Sequence, residues 1–195
     1  MDNAIVVAPA EQEQWLPVVG WEGFYEVSDL GRVRAVERII TVASNGQRRR
    51  WKARVLRPAA SHYYKSRLSV ALCRNGKPQS HLVHGLVWRA FRGPIQEGLM
   101  LDHKDRNRFN NRLDNLRLAT LSQNGANSRL SRANTSGYKR VCWNKTAEKW
   151  QADIMVNRKQ FKIGLYDTKE EAAEAYRVAA LHHFGEFANP VSAIQ

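Results

Sequence analysis

Apolar and polar residues alternate along this chain in short runs, and helical spacing takes over in a few places. From Trp15 to Arg34, β-branched and aromatic residues mix with Gly and Asp, which reads as short strands and turns. Leu68, Val70 and Leu72 alternate up to Asn75-Gly76, a strong hairpin signal, and a return strand leads to His81. Val83, Leu86, Val87, Ala90 and Phe91 then lie on one face of a helix that stops before Gly93-Pro94, with His84 a structural residue within it. Near the C-terminus three alternating runs follow one another, 138–144, 149–156 and 160–166, with a turn at Asn157-Arg158-Lys159. Trp150, Ala152, Ile154 and Val156 should share a covered face with Phe161, Ile163 and Leu165. Lys149, Gln151, Asp153, Gln160 and Lys162 fall on the other. Thr168 and Glu171 form a capping box, and Ala172, Ala175, Tyr176, Ala179 and His183 make the stripe that would cover the sheet. The pattern predicts an α+β protein of small modules, one of them a three-stranded antiparallel sheet packed on one helix.

With 195 residues the chain suits two or three such modules better than one large enzyme fold. No apolar run approaches the roughly 20 residues of a membrane span, so the expected location is the cytosol, the host's if the gene belongs to a phage. Cys73 and Cys142 are far apart and in no Cys-x-x-Cys pair, and are expected as buried thiols. Charge changes the picture. There are 31 Lys and Arg against 18 acids, a net charge of +13, which calls for a polyanionic partner. Residues 1–30 hold six acids and no Lys or Arg, whereas residues 31–92 hold fifteen basic residues and one acid. Arg48, Arg49, Arg50 and Lys52 follow the turn signal Asn45-Gly46 and are candidate phosphate contacts. A solvated charge run or a nuclear localisation signal has the same composition.

Candidate chemistry concentrates in Gly98–Asn124: an apolar strand ending in Asp102-His103, an Asn-rich loop with Asp105, Asn107 and Asn111, the turn Asp114-Asn115, renewed alternation at Leu116 and Leu118, and a helix capped by Thr120 or Ser122. Phosphodiester hydrolysis needs a base for water and a cation at the phosphate. His103 suits the first task, since an unperturbed imidazole has a pKa of about 6.5. Asp102 and Asn124 offer hard oxygens for Mg²⁺ or a similar ion. Adjacent residues of an ideal strand face opposite ways, so the strand must end or twist at Asp102-His103. These 27 residues resemble the HNH nucleases of phages and mobile introns. The resemblance implies a ββα-metal centre with His103 as general base, Asp102 and Asn124 holding one Mg²⁺ or Mn²⁺ ion, and Asn115 bracing the loop that presents His103. Arg106 and Arg108 become DNA-binding candidates with it.

Two flanking segments carry resemblances of their own. Trp15–Arg34 resembles the N-terminal modular segment of many such nucleases. Residues 136–189 resemble the Apetala-type DNA-binding domain that phage HNH nucleases often carry, whose sheet lies in the major groove. That resemblance makes Lys139, Asn144, Lys149, Gln151 and Lys162 the DNA-facing candidates. Arg140 stands where that family usually has Gly. Trp143 and Trp150 are expected in the core. The expected organisation is a tail (1–14), a basic β-rich segment (15–60), the nuclease domain (61–127), a linker (128–136) and the DNA-binding domain (137–190). The function this implies is hydrolysis of double-stranded DNA to 3′-hydroxyl and 5′-phosphate ends by a homing-type endonuclease, with no obligate protein partner. A DNA-binding regulator that kept the fold without the activity, and an RNA or nucleoprotein binder, are the other classes the sequence leaves open.

Overall fold

The computed structural model describes residues 12–41, 46–60 and 66–189. The tail to residue 11, Asn45 of the expected turn, residues 61–65 and residue 190 lie outside the described residues. The chain divides into two units, Met1–Pro94 with Arg108–Asn115, and Ile95–Asn107 with Leu116–Gln195.

In the first unit, β1 (Trp15–Pro17), β2 (Tyr25–Ser28), β3 (Val33–Ala35) and β6 (Arg54–Val55) form an antiparallel sheet in the order β1-β2-β3-β6. β4 (Arg38–Thr41) pairs with β5 (Arg48–Trp51), and β8 (Leu68–Arg74) lies between β7 (Ala59–Ala60) and β9 (Lys77–Leu82). The β8–β9 turn is Asn75-Gly76 with φ of 54° and 75°, the paired left-handed residues of a tight hairpin. Helix α1 (Val83–Arg92) buries Val83, His84, Gly85, Leu86 and Val87. Val18, Val27, Val33, Leu72, Val83 and Val87 are almost wholly buried. Several arginines of this basic stretch lie on aromatic rings. Arg74 sits 4.8 Å from Trp21 and 4.6 Å from Phe24, and Arg34 sits 4.2 Å from Trp15. Gly31, at φ +82°, leaves a Cβ no room: it would lie 2.9 Å from the Asn111 backbone.

The second unit begins with the ribbon of β10 (Met100–His103) and β11 (Leu116–Ala119), followed by α2 (Leu121–Asn127). Thr120 caps α2 in a full capping box with Gln123. β12 (Val141–Asn144), β13 (Lys149–Val156) and β14 (Lys159–Tyr166) make the expected three-stranded sheet, which packs on α3 (Lys169–Phe184), capped by Thr168 and Glu171. A core of Ala126, Val141, Ala152, Ile154, Ala172, Tyr176, Ala180 and Phe184 joins α2, sheet and helix. The buried stripe therefore steps in fours to Phe184, and His183, expected on it, is exposed.

A bulge between Ala152 and Asp153 breaks the alternation that the sequence shows on β13 and β14. Leu165 consequently pairs with Gln151, away from the face that Trp150 shares with its partner Tyr166; Phe161 keeps its place opposite Ile154 but is 51% exposed. Trp150 packs against the core, but Trp143, expected there too, is 47% exposed and meets Trp150 edge-on. Both cysteines are exposed, not buried: Cys73 lies on β8 and Cys142 on β12.

Candidate functional site

The β10–β11 register sets Met100 opposite Ala119, Asp102 opposite Arg117 and His103 opposite Leu116. The strand runs through both Asp102 and His103 and ends there, and both residues are buried. Cross-strand partners share a face of the ribbon, so Arg117 reaches Asp102 directly: Nε donates to Oδ2 over 3.0 Å. From the helix side, Asn127 Nδ2 donates to both Asp102 oxygens at 3.0 and 2.9 Å, and to the His103 carbonyl at 2.9 Å. The same carbonyl accepts the Arg106 backbone N–H, which turns the chain with Arg106 at φ 62°. The Asp-His dipeptide is thereby pinned through the carboxylate of one residue and the backbone of the other.

Asn124 lies three residues before Asn127, on the same side of α2. Its Nδ2 donates to Met100 Sδ at 3.2 Å, placing it over the β10 face that Asp102 occupies. Asn115, in the other unit, closes a short 3-10 turn (Leu113–Asn115), and its Nδ2 donates to the Asn110 carbonyl at 2.8 Å. Asn127 and Arg117 are the residues that the sequence reading missed. Asn127 carried a signal, its i+3 spacing from Asn124; Arg117 had none until the register was known.

Oxygen donors for a cation are the Asp102 carboxylate and the amide oxygens of Asn124 and Asn127. Asp102 accepts from Arg117 once and from the Asn127 amide, and a carboxylate has about four lone-pair positions. One carboxylate and amide oxygens fit an ion that keeps phosphate and water among its ligands. Among the described residues no group of three or more His, Cys, Asp or Glu is placed to hold a metal. These donors suit an open site rather than a closed one.

On the outer face of the sheet, Asn144 Nδ2 donates to Gln151 Oε1 at 2.8 Å, Gln151 Nε2 donates to Asp153 Oδ1 at 2.9 Å, and Gln160 Nε2 donates to Asp153 Oδ2 at 3.0 Å. Asp153 accepts only, so it fixes which end of each glutamine amide faces it. Asn144 Oδ1 accepts the Thr146 and Ala147 N–H groups, tying the chain of amides to the β12–β13 turn. Lys162 is exposed beside this array, opposite Asp153, and Lys149 pairs with Asp167 at 2.9 Å. Lys139 is turned elsewhere: its ammonium donates to the carbonyls of Gly125, Ala126 and Ser128, closing the C-terminal end of α2. Burial, with the Arg140 and Arg106 charges adding to it, pushes this lysine down to about 8. Arg140 has φ 59°, a left-handed backbone that a glycine adopts without steric cost.

The remaining basic candidates are carried by other elements. Arg48, Arg49, Arg50 and Lys52 are all exposed, on and just after β5, with Arg50 paired to Glu37 at 2.8 Å. Arg108 Nη1 donates to Ser66 Oγ, and Arg106 Nε lies 2.9 Å from the Asn189 amide oxygen.

Residues 81–126 match the HNH endonuclease family, and residues 13–69 match the NUMOD4 motif. The chain is 40% identical over 105 residues to Protein 3.8 of Escherichia phage T7, spanning 54% of this chain and 86% of that one. It is 32% identical over 114 residues to DNA endonuclease I-HmuI of Bacillus phage SP01, spanning 58% of this chain and 56% of the relative. A solved structure described as DNA binding and cleavage by the HNH homing endonuclease I-HmuI aligns with a TM-score of 0.45 at 23% identity, covering 87% of this chain and 90% of that one. The pinned Asp102-His103 pair and Asn124 fall within the matched nuclease segment, Asn127 lies one residue past it, and the chain belongs to the HNH endonuclease family.

Proposed function

We propose that this protein is a metal-dependent DNA endonuclease of the homing type that hydrolyses phosphodiester bonds in double-stranded DNA with water activated by His103. The observation that carries this reading is the fixed Asp102-His103 dipeptide beneath α2, with Asn124 over the same strand face. A Mg²⁺ or Mn²⁺ ion held by Asp102 and Asn124 would supply charge neutralisation at the phosphate and the departing oxygen. His103 takes the proton of the attacking water, a new P–O bond forms, and the P–O3′ bond breaks with its electron pair going to the 3′ oxygen, which takes a proton from solvent, leaving a 3′ hydroxyl and a 5′ phosphate. Asn115 braces the loop before β11 through its bond to Asn110. The sheet face of residues 137–189 meets the duplex with Asn144, Gln151 and Lys162, and Arg48, Arg49, Arg50, Lys52, Arg106 and Arg108 contact phosphates.

Supercoiled plasmid incubated with Mg²⁺ or Mn²⁺ tests the proposal. The expected result is nicked or linear product with the native chain and a loss of about 10²–10⁴-fold in rate for His103→Ala, the range of general-base catalysis. Equal cleavage by His103→Ala overturns the assignment of the base. The buried pairing of Asp102 with Arg117 favours one other reading, a DNA-binding regulator that keeps the fold without the activity. Plasmid that is bound but left intact across metals and sequences would establish it.

A further inference from the structure

Arg117 touches three things at once. Its Nε donates to Asp102 Oδ2 at 3.0 Å, its Nη1 donates to the Glu186 backbone carbonyl at 3.0 Å, and its guanidinium carbon lies 3.9 Å from the centre of the Phe187 ring. The Arg117 and Asp102 side chains are only 10% and 7% exposed. Glu186 and Phe187 belong to the 3-10 turn Gly185–Phe187, which follows α3 directly after its buried residue Phe184. The Glu186 carboxylate is 3.8 Å from Nη1 and 70% exposed, so the carbonyl is the stronger of its two holds.

A guanidinium is a rigid planar fork. A carboxylate at one edge, a carbonyl at another and a ring against its face leave it little freedom of position. Asp102 is then held between two donors that arrive from different elements, Arg117 from β11 and Asn127 from α2. We propose that Arg117 is a positioning residue of the nuclease reaction, and that the turn Gly185–Phe187 at the end of the C-terminal module sets it in place. The C-terminal module thus completes the nuclease centre in addition to gripping DNA. This rests on the nuclease reading of Asp102.

The test uses the full chain with Phe187→Leu, Arg117→Lys and Arg117→Ala. Phe187→Leu keeps apolar bulk in place and removes only the ring face, and circular dichroism checks that it is folded. Three quantities are read: kcat and KM on a duplex substrate, duplex affinity without metal, and Mn²⁺ affinity of the DNA-free protein by electron paramagnetic resonance. Loss of a residue that orients a metal-ligating group costs about 10–100-fold in metal affinity or activity, and the Arg117→Ala effect should lie in that range. Phe187→Leu should lower kcat several-fold with KM and duplex affinity unchanged, and should weaken Mn²⁺ binding by a similar factor. Arg117→Lys, which keeps the charge without the fork, should recover part of what Arg117→Ala loses. Native kcat and Mn²⁺ affinity in folded Phe187→Leu would overturn the proposal. So would a loss confined to KM and duplex affinity, which would make the module a DNA grip alone. If the native chain cuts nothing, the nuclease reading fails by itself, and the Mn²⁺ comparison still decides whether Arg117 and Phe187 position Asp102.

Discussion

Two aspartates of the second unit are hidden almost equally, Asp102 at 6% and Asp153 at 7% exposure, yet they are compensated in opposite ways. Asp102 meets a guanidinium and an amide; Asp153 meets the amides of Gln151 and Gln160. A buried cation next to a carboxylate ties two strands and a turn into one electrostatic unit, which resists displacement. A ring of neutral donors leaves the carboxylate to orient its neighbours, and those neighbours remain at the surface, where a ligand can reach them. The first arrangement suits a centre that must not move. The second suits a face that must present fixed donors and acceptors.

Replacing each carboxylate by its amide breaks the comparison most sharply. Asp102→Asn strands the Arg117 guanidinium in the interior, which costs about 3–5 kcal/mol for a buried pair broken on one side. Asp153→Asn loses hydrogen bonds to neutral donors, about 1–2 kcal/mol. It should also loosen base preference in a selection for bound duplexes, because the glutamine amides lose the partner that fixes their orientation. Urea unfolding measures both stabilities; equal costs would mean that the cation is not what separates the two sites.

Arg140→Gly is a smaller change in the same unit. It relieves a left-handed non-glycine backbone, worth about 1–2 kcal/mol, against about 0.5–1 kcal/mol of added chain entropy, so a net gain of up to about 1.5 kcal/mol is expected in thermal unfolding. It also removes one of the charges that depress Lys139, whose proton affinity should rise.

Lys139 gives the smallest effect and sharpens the contrast from the cationic side, since its bonds run to carbonyls rather than to a carboxylate. Its proton is held less tightly in the folded chain than in the unfolded one. The folded state is therefore penalised below a pH of about 8, and that penalty is relieved as pH rises from there towards the ordinary lysine value of ~10.4. In Lys139→Met this component of the pH slope of stability should vanish, as denaturant titrations at pH 7.5 and 9.5 would record.

Local chemistry was legible in the sequence. The capping box at Thr168, a cap at Thr120 or Ser122, the Asn75-Gly76 hairpin and the strand that delivers Asp102-His103 all depend on residues within a few positions of each other. Features fixed by register were not. One bulge at Ala152/Asp153 was enough to move Leu165 off the expected face, and the pairing of Asp102 with Arg117 requires β10 and β11 to be aligned first. Asn127 fell between these cases: it repeats the spacing of Asn124 on α2, but its three bonds at the dipeptide appear only when the helix crosses the ribbon.

The cap that Lys139 places on α2 bears on how such chains recombine. The span 128–136 is the expected linker, a joint at which one C-terminal module could be exchanged for another. The carbonyls of Gly125, Ala126 and Ser128 lie at or before that joint and the ammonium that closes them lies after it. A crossover anywhere between would inherit a helix from one parent and its stopper from another. Successful chimeras should therefore carry a lysine at position 139, or begin their foreign sequence upstream of Gly125.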